Sequence, residues 1–134
     1  MDIRIISWQQ AIPLRHQVLW PSKPPEYCHV DGDVKGLHFG VFIDETIICV
    51  ASVYLDQNKA RLRKFATDAN YQNQGIGSKM LAHIIHYLKS TKTDFFWCDA
   101  RESAVGFYER FDMNKSSERF YKADVAYFKM EIAL

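Results

Sequence analysis

The sequence predicts a mixed α/β fold, and three observations lead to this prediction. Runs of β-branched and aromatic residues at 38–43 and 46–55 are separated by only two residues, which is typical of a hairpin. A third run, 62–67, follows another short connection, so these runs predict an antiparallel meander in a central mixed sheet. An amphipathic helix comes directly after the meander, and we expect about four helices to flank the sheet.

The segments on either side of the meander complete the predicted order of elements. A short strand at 3–6 precedes a helix at 8–19, which accommodates Pro13 near its start. Residues 21–36, with three prolines and two glycines, predict a long loop. The helix after the meander has a buried stripe and ends near Ser90; it is followed by a strand at 95–98, a helix at 104–111, a less certain strand at 115–121 and a strand at 125–132. The predicted stripe consists of Met80, Leu81, Ile84, Ile85 and Leu88.

Composition limits the classes of protein that the chain can represent. With 134 residues and 48% apolar side chains, residues 1–134 are expected to form a single domain. A formal charge of +1 gives no general reason to bind nucleic acid or an anionic membrane. The cysteines Cys28, Cys49 and Cys98 lack paired metal-site spacing, so we expect free buried thiols and no metal. Without a run of about 20 apolar residues, a soluble cytoplasmic protein is expected.

The stretch NYQNQGIGSKML, residues 70–81, contains two glycines where the apolar helix is about to begin. Glycine is unfavourable inside a helix, so this pair needs a reason in backbone geometry or in close approach of a ligand. The first turn of a helix has unpaired N–H groups, and its dipole favours negative charge. A glycine-rich loop between a strand and a helix therefore predicts a phosphate site, whereas the alternative is a turn that only permits close packing.

The spacing of this loop excludes two common phosphate motifs. It lacks the GK pair of a Walker loop, and Met80 occupies the position of the third glycine in a dinucleotide fingerprint. The pattern Gln72-x-x-Gly75-x-Gly77 instead resembles the Q/R-x-x-G-x-G/A signature of the GNAT superfamily of acetyl-CoA-dependent N-acetyltransferases. The surrounding segment FATDANYQNQGIGSKML is similar to that family's strand, turn, loop and helix in the same order.

A second segment, ARESAVGFYERFDM, resembles the short helix that follows the fifth strand in this family. Ala104 and the run Phe107–Glu109 keep the family pattern. Arg101 replaces the usual Asn, Asp112–Met113 replaces the usual Gly-Phe, and Thr67 replaces the usual Val before the loop. The resemblance covers most of the chain and is weakest over residues 7–37.

The resemblance implies a GNAT-like fold, acetyl-CoA as acetyl donor, and direct transfer to an amine in a ternary complex. It implies that the backbone of the fourth strand pairs with the pantetheine arm and that Tyr108 protonates the departing thiolate, since a phenol is protonated near neutral pH. A packing role is the alternative for this tyrosine. The residues implied in cofactor binding are Phe65, Ala66, Thr67, Gln72, Asn73, Gln74, Gly75, Ile76, Gly77, Ser78 and Tyr108.

The sequence does not select the base that would deprotonate the amine. His38 closely follows the loop DGDVKG and is the candidate for a base or substrate contact, with a structural histidine as the alternative. His83 and His86 are expected to be surface residues of the helix, and the carboxylates Asp31, Asp33, Asp68 and Glu102 have no distinguishing spacing.

The sequence also does not decide whether the amine acceptor is a small molecule or a peptide. The loop at 21–36 and the segment at 116–122 are expected to flank its cleft, and the carboxylates there give a weak hint of a cationic amine. A charged strand face at Arg61, Arg63 and Lys64 is most simply a solvated surface. Three alternatives remain: a different acyl donor, a coenzyme A-binding regulator without catalysis, and a structural domain whose glycines serve packing. A homodimer is also possible, because many members of this family are dimers and the aromatic content would allow an interface.

Overall fold

The computed structural model describes residues 1–134, with all eight strands in one sheet and three α-helices beside it. Four short 3₁₀ turns lie at 25–28, 33–35, 69–71 and 102–104. None of the helices is long and apolar enough to cross a bilayer. In chain order the elements are β1 (Asp2–Ile6), α1 (Trp8–Leu19), β2 (Leu37–Ile43), β3 (Thr46–Asp56), β4 (Lys59–Thr67), α2 (Ile76–Lys89), β5 (Phe95–Arg101), α3 (Val105–Glu109), β6 (Asn114–Lys115), β7 (Phe120–Lys122) and β8 (Val125–Ala133).

The predicted meander and mixed sheet are confirmed. Strands β1 to β4 are antiparallel neighbours in sequence order, as expected for strands joined by short turns. Strand β5 pairs parallel to β4 through the crossover helix α2, and β8 pairs antiparallel to β5. The last two short strands both pair with β8, so the single strand expected at 115–121 is divided into β6 and β7.

The two longer helices cover opposite faces of the sheet. The predicted stripe of α2 is fully buried in the larger core, together with alternate residues of β4 and β5 such as Leu62 and Cys98. The capping box of Ser7 and Gln10 begins α1, whose buried residues Ala11 and Leu14 belong to a smaller core on the other face. The sheet therefore has an α1 face and an α2 face, each covered by the helix for which it is named.

Strand β4 contains a bulge that changes which face its residues occupy. Val50 of β3 is opposite Ala66, whereas Ser52 is opposite Arg63, so one residue of β3 faces two of β4, Lys64 and Phe65. Lys64 has a φ of 55°, in the left-handed region that only glycine adopts without cost. Before the bulge Leu62 packs in the α2-face core, and after it Ala66 packs in the α1-face core.

A buried ion pair ties α1 to the loop at 21–36 and to β3. Arg15 is fully buried and donates to both carboxylate oxygens of Asp33, at 2.9 and 3.1 Å. It also donates to the Cys28 carbonyl and the Ser52 hydroxyl, and the Tyr54 hydroxyl donates to Asp33. Burial opposes ionisation of Asp33, but these hydrogen bonds prevail and lower its pKa to about 2. The long loop is thus held as a fixed strap across the α1 face.

We predict that Asp33→Asn destabilises the fold by about 3–5 kcal/mol, because it leaves the Arg15 guanidinium buried without a counter-charge. Since the folded-state pKa of Asp33 is depressed from 3.8 to about 2, its stabilising contribution is present above pH about 4 and is lost as the pH falls toward 2. Urea unfolding between pH 2 and 6 measures both effects. The exposed pair of Arg119 and Glu102 supplies the control, and Glu102→Gln should unfold close to the wild type. A wild-type-like curve for Asp33→Asn would contradict this account.

Candidate active site

A cavity of about 440 Å³ opens where β4 separates from β5. The parallel pairing of these strands extends only from Lys59 to Arg61 on β4, although both strands continue for several residues. Beyond Arg61 the β5-facing side of β4 has no strand partner. The divergence therefore leaves a gap in the middle of the sheet, with unpaired backbone along one wall.

The cavity is lined from both faces of the sheet. Cys98 and Tyr108 belong to the α2-face core, whereas strand alternation places Arg63 and Arg101 on the α1 face. Two molecules could thus approach one point from opposite sides of the sheet. The full lining comprises Leu19, Trp20, Arg61, Leu62, Arg63, Lys64, Phe65, Cys98, Asp99, Ala100, Arg101, Ala104, Tyr108, Lys122 and Tyr127.

Tyr108 lies at the α2-face wall of this cavity and is 9% exposed. Its short helix α3 is positioned by a row of aromatic contacts, with the Phe107 ring 5.1 Å from the Tyr108 ring and 6.2 Å from the Phe65 ring. Burial, and next the neighbouring Cys98 thiol, raise the pKa of Tyr108 above its ordinary value. Burial also raises the pKa of Cys98 to about 12. Both groups are therefore protonated at neutral pH, and the phenol can donate a proton or hydrogen bond.

The loop between β4 and α2 follows directly from the cavity wall. Gln72 donates from its side-chain amide to the Thr67 carbonyl at 3.0 Å, which closes the turn. Gly75 forms the N-cap of α2 with a φ of 78°, and the first backbone bond of the helix runs from the Lys79 N–H to the Gly75 carbonyl. The N–H groups of residues 72–78 donate to no acceptor within the protein. They form a run of free donors at the positive end of a helix, which suits a phosphate group.

The two glycines of this loop are not required for packing. A Cβ added at Gly75 would meet no atom within 4 Å, and one added at Gly77 would lie 3.5 Å from the Phe65 ring, an ordinary contact. The packing alternative considered for these glycines is therefore wrong. Gly75 is needed for its positive φ, and the surface around it is open to a ligand.

The other predicted site residues fall in two groups. Phe65 lines the cavity, and Ala66 and Thr67 continue β4 past it toward the loop. His38 does not line the cavity; it is 3% exposed, and its ring nitrogens contact the Ser52 hydroxyl at 2.7 Å and the Asp33 carbonyl at 2.8 Å. The Asp33 carbonyl can only accept, which assigns the proton to Nε2 and leaves Nδ1 accepting from Ser52. The structure therefore gives His38 a place in the buried network and no access to a substrate.

Sequence reasoning missed the charged wall of the cavity. Arg61, Arg63 and Lys64 were expected to be a solvated strand face, yet all three line the cavity. The alternation of charges at 61, 63, 99 and 101 was the available signal, but it acquires meaning only when β4 and β5 are known to be neighbours. Of the two segments expected to flank the acceptor cleft, only Lys122 of 116–122 lines the cavity, while Asp33 of 21–36 is buried against Arg15. Trp20, directly before the loop at 21–36, also lines it. The cavity lining holds a single carboxylate, Asp99, and so gives no support to the hint of a cationic amine.

Comparison with known proteins identifies the family. Residues 27–134 match the model of the acetyltransferase (GNAT) domain. The chain belongs to the GNAT acetyltransferase family. A relative named "Uncharacterized N-acetyltransferase YitI", from Bacillus subtilis (strain 168), is 30% identical over 132 residues, which cover 90% of this chain and 87% of YitI. These matches show that the chain is an N-acetyltransferase.

Two further acetyltransferases are similar to this chain. The [ribosomal protein bS18]-alanine N-acetyltransferase of Escherichia coli (strain K12) is 33% identical over 73 residues, covering 52% of this chain and 48% of that enzyme. A GNAT family acetyltransferase from Elizabethkingia anophelis, crystallised with acetyl-CoA bound, has the same fold with a TM-score of 0.73 at 16% identity. The alignment covers 99% of this chain and 97% of that structure.

We predict opposite stability effects for alanine at the two loop glycines. Gly75→Ala should cost about 1–2 kcal/mol, because alanine is unfavourable at positive φ. Gly77→Ala should be neutral or stabilising by up to about 1 kcal/mol, because it occupies an ordinary helical position with space for a methyl group. Urea unfolding of both variants measures the difference. Equal destabilisation by the two substitutions would contradict the assigned loop geometry.

Proposed function

We propose that this GNAT enzyme transfers an acetyl group from acetyl-CoA directly to a primary amine of a small molecule or peptide, in a ternary complex. The observation that carries the proposal is the cavity through the sheet, which is lined from both faces and adjoins a loop of free N–H groups. Such a cavity lets a thioester and an amine meet without a covalent enzyme intermediate. The match of residues 27–134 and the continuous sheet also support one GNAT domain over residues 1–134.

The cofactor would be held by backbone groups more than by side chains. The free donors of residues 72–78 suit the pyrophosphate of acetyl-CoA, since anions bind at helix N-termini through main-chain N–H groups. The unpaired side of β4 at Phe65, Ala66 and Thr67 offers main-chain groups to the amides of the pantetheine arm, as an added strand would use them. Gly75 leaves the approach open.

The chemistry joins the amine nitrogen to the acetyl carbon and breaks the carbon–sulfur bond. The nitrogen loses one proton and the sulfur gains one, so the proton lost by the nitrogen restores the acid that protonates the sulfur. Expulsion of the thiolate is easier when a proton reaches the sulfur, and Tyr108 is the protonated group at the cavity wall that we assign to this role. His38 receives no catalytic role, because both of its ring nitrogens are occupied in the buried network. The amine must be neutral to attack, and the surrounding cations lower its pKa because they disfavour a further positive charge.

We predict that Gly75→Glu weakens acetyl-CoA binding at least 100-fold, because a carboxylate at the start of α2 would occupy and repel the pyrophosphate site. Calorimetric titration of the wild type should give micromolar binding. Gln9→Glu is the matched control, since it adds one negative charge at an exposed position in the first turn of α1. No binding by the folded wild type would overturn the transferase proposal, and unchanged binding by Gly75→Glu would overturn the assigned pyrophosphate site.

We predict that Tyr108→Phe lowers kcat about 100-fold or more while KM for acetyl-CoA stays within about twofold. Because the pKa of Tyr108 is raised, the phenol remains protonated across the assay range and the wild type should lose no activity to its ionisation up to pH 9. Release of free thiol measures the rate. Tyr121→Phe is the control, since that tyrosine is 65% exposed and lies outside the cavity lining. Turnover unchanged at every pH would remove Tyr108 from the mechanism.

Two alternatives are separable by measurements of binding and turnover. A coenzyme A-binding protein without catalysis would bind acetyl-CoA and show no turnover with any amine. A different acyl donor would be bound more tightly than acetyl-CoA. A peptide acceptor is supported by the name of the Escherichia coli relative, an alanine N-acetyltransferase of a ribosomal protein.

A further inference from the structure

Resting on the proposed function, we propose that the acceptor is a small primary amine that also carries an anionic group, bound by Arg63 and Arg101 on the α1 face of the cavity. The cavity is lined by five basic side chains and one carboxylate: Arg61, Arg63, Lys64, Arg101, Lys122 and Asp99. The protein as a whole has a formal charge of only +1, so this excess is local to the site. An excess of positive charge in a concave site attracts anions.

The single carboxylate is already neutralised within the cavity. Asp99 accepts from Arg61 at 3.1 Å and from Lys122 at 3.1 Å. Arg63, Lys64 and Arg101 have no carboxylate within 4.0 Å. Three cations of the wall are thus available to a ligand, and two of them are guanidinium groups, whose forked donors match a carboxylate or a phosphate.

Lys64 lies among positive charges that oppose its own ionisation. Lys64 lies at the bulge of β4 with a φ of 55°, and burial followed by the charges of Arg63 and Arg15 lowers its pKa. Neighbouring like charges with no counter-ion are unfavourable in the free protein. A bound anion relieves that repulsion, which gives the cavity a physical reason to select one.

The position of these cations separates them from the cofactor phosphates. Strand alternation places Arg63 and Arg101 on the α1 face, because their neighbours Leu62 and Ala100 pack in the α2-face core. The free donors of the Gln72–Ser78 loop lie at the start of α2, which covers the other face. The α1-face cations are therefore placed for the acceptor.

An anionic group on the acceptor would also offset the repulsion between a protonated amine and the cationic wall of the cavity. A simple alkyl amine is protonated near pH 7, so the cationic wall repels it. An amine with a carboxylate or phosphate group can bind through that group, while the same cations favour the neutral, nucleophilic form of its nitrogen. Trp20 and Tyr127 add aromatic surface to the lining, and a volume of about 440 Å³ suits a small molecule.

The test compares amines with and without the anionic group, with kcat/KM calculated for the neutral form of each amine because an adjacent carboxylate raises the amine pKa. Phenylalanine is compared with phenylalaninamide, β-alanine with β-alaninamide, and 2-aminoethylphosphonate with propylamine; 1,3-diaminopropane represents cationic acceptors. The anionic member of a pair should have a kcat/KM at least about 10-fold higher, the effect of one charge-assisted hydrogen bond. The phosphonate comparison distinguishes a phosphate-like group from a carboxylate. Higher kcat/KM for the amides or the diamine would overturn the proposal.

Variants assign the preference to the two arginines. Arg63→Gln and Arg101→Gln should each reduce the preference about 10-fold by raising KM for the acceptor, with KM for acetyl-CoA unchanged. Lys92→Gln is the control, because Lys92 is an exposed cation between α2 and β5, outside the cavity lining. An unchanged preference in both arginine variants, or a raised KM for acetyl-CoA alone, would show that these cations do not bind the acceptor.

A binding measurement keeps the proposal testable without turnover. NMR titration of the coenzyme A-saturated protein with N-acetylphenylalanine and with its amide should shift the resonances of cavity residues. The acid should bind at least about 10-fold more tightly than the amide, and Arg63→Gln should remove this difference. Equal binding of acid and amide would overturn the proposal while leaving the transferase proposal intact. Failure of the transferase proposal itself has a separate signature, the absence of acetyl-CoA binding.

Discussion

The separation of β4 from β5 is the feature on which the rest of the structure depends. Parallel pairing stops at Arg61, and the bulge at Lys64 and Phe65 turns the following residues over, so that the sheet opens at its centre while both faces remain covered by helices. A regular β4 would continue its pairing and close the gap. The strained φ of Lys64 is the cost of this opening, and such strain is commonly located at functional sites.

The buried network of Arg15 supports the opening from the α1 side. It joins α1, the loop at 21–36 and β3, which fixes the end of α1 where Leu19 and Trp20 reach the cavity wall. His38 and Tyr54 add hydrogen bonds to this network, in which the buried Nε of Arg15 is the one side-chain polar atom without a partner. These residues therefore fix the α1-face wall of the cavity without lining it themselves.

The order of elements and the backbone of the glycine-rich loop at 72–78 could be predicted from the sequence because they depend on local signals. The stripe of α2, the short turns of the meander and the glycine at a positive-φ position each have a signature within a few residues. The cationic cavity could not be predicted, because Arg63 and Arg101 are 38 positions apart by their numbers and meet only through the pairing of β4 with β5. The same limit applies to His38, whose partners Ser52 and Asp33 lie on separate elements.

Hydrogen–deuterium exchange with and without acetyl-CoA would show whether the cofactor binds along the open edge of β4 and at the following loop, since it reports on individual backbone amides. The account predicts that acetyl-CoA slows exchange at residues 65–67 and 72–78, whose β5-facing groups and N–H donors are unpaired in the free protein. It also predicts that amides of α1 and of the strap at 21–36 are unaffected. Slowed exchange confined to the α1 face, with none at the loop, would contradict a cofactor that enters from the α2 side of the opened sheet.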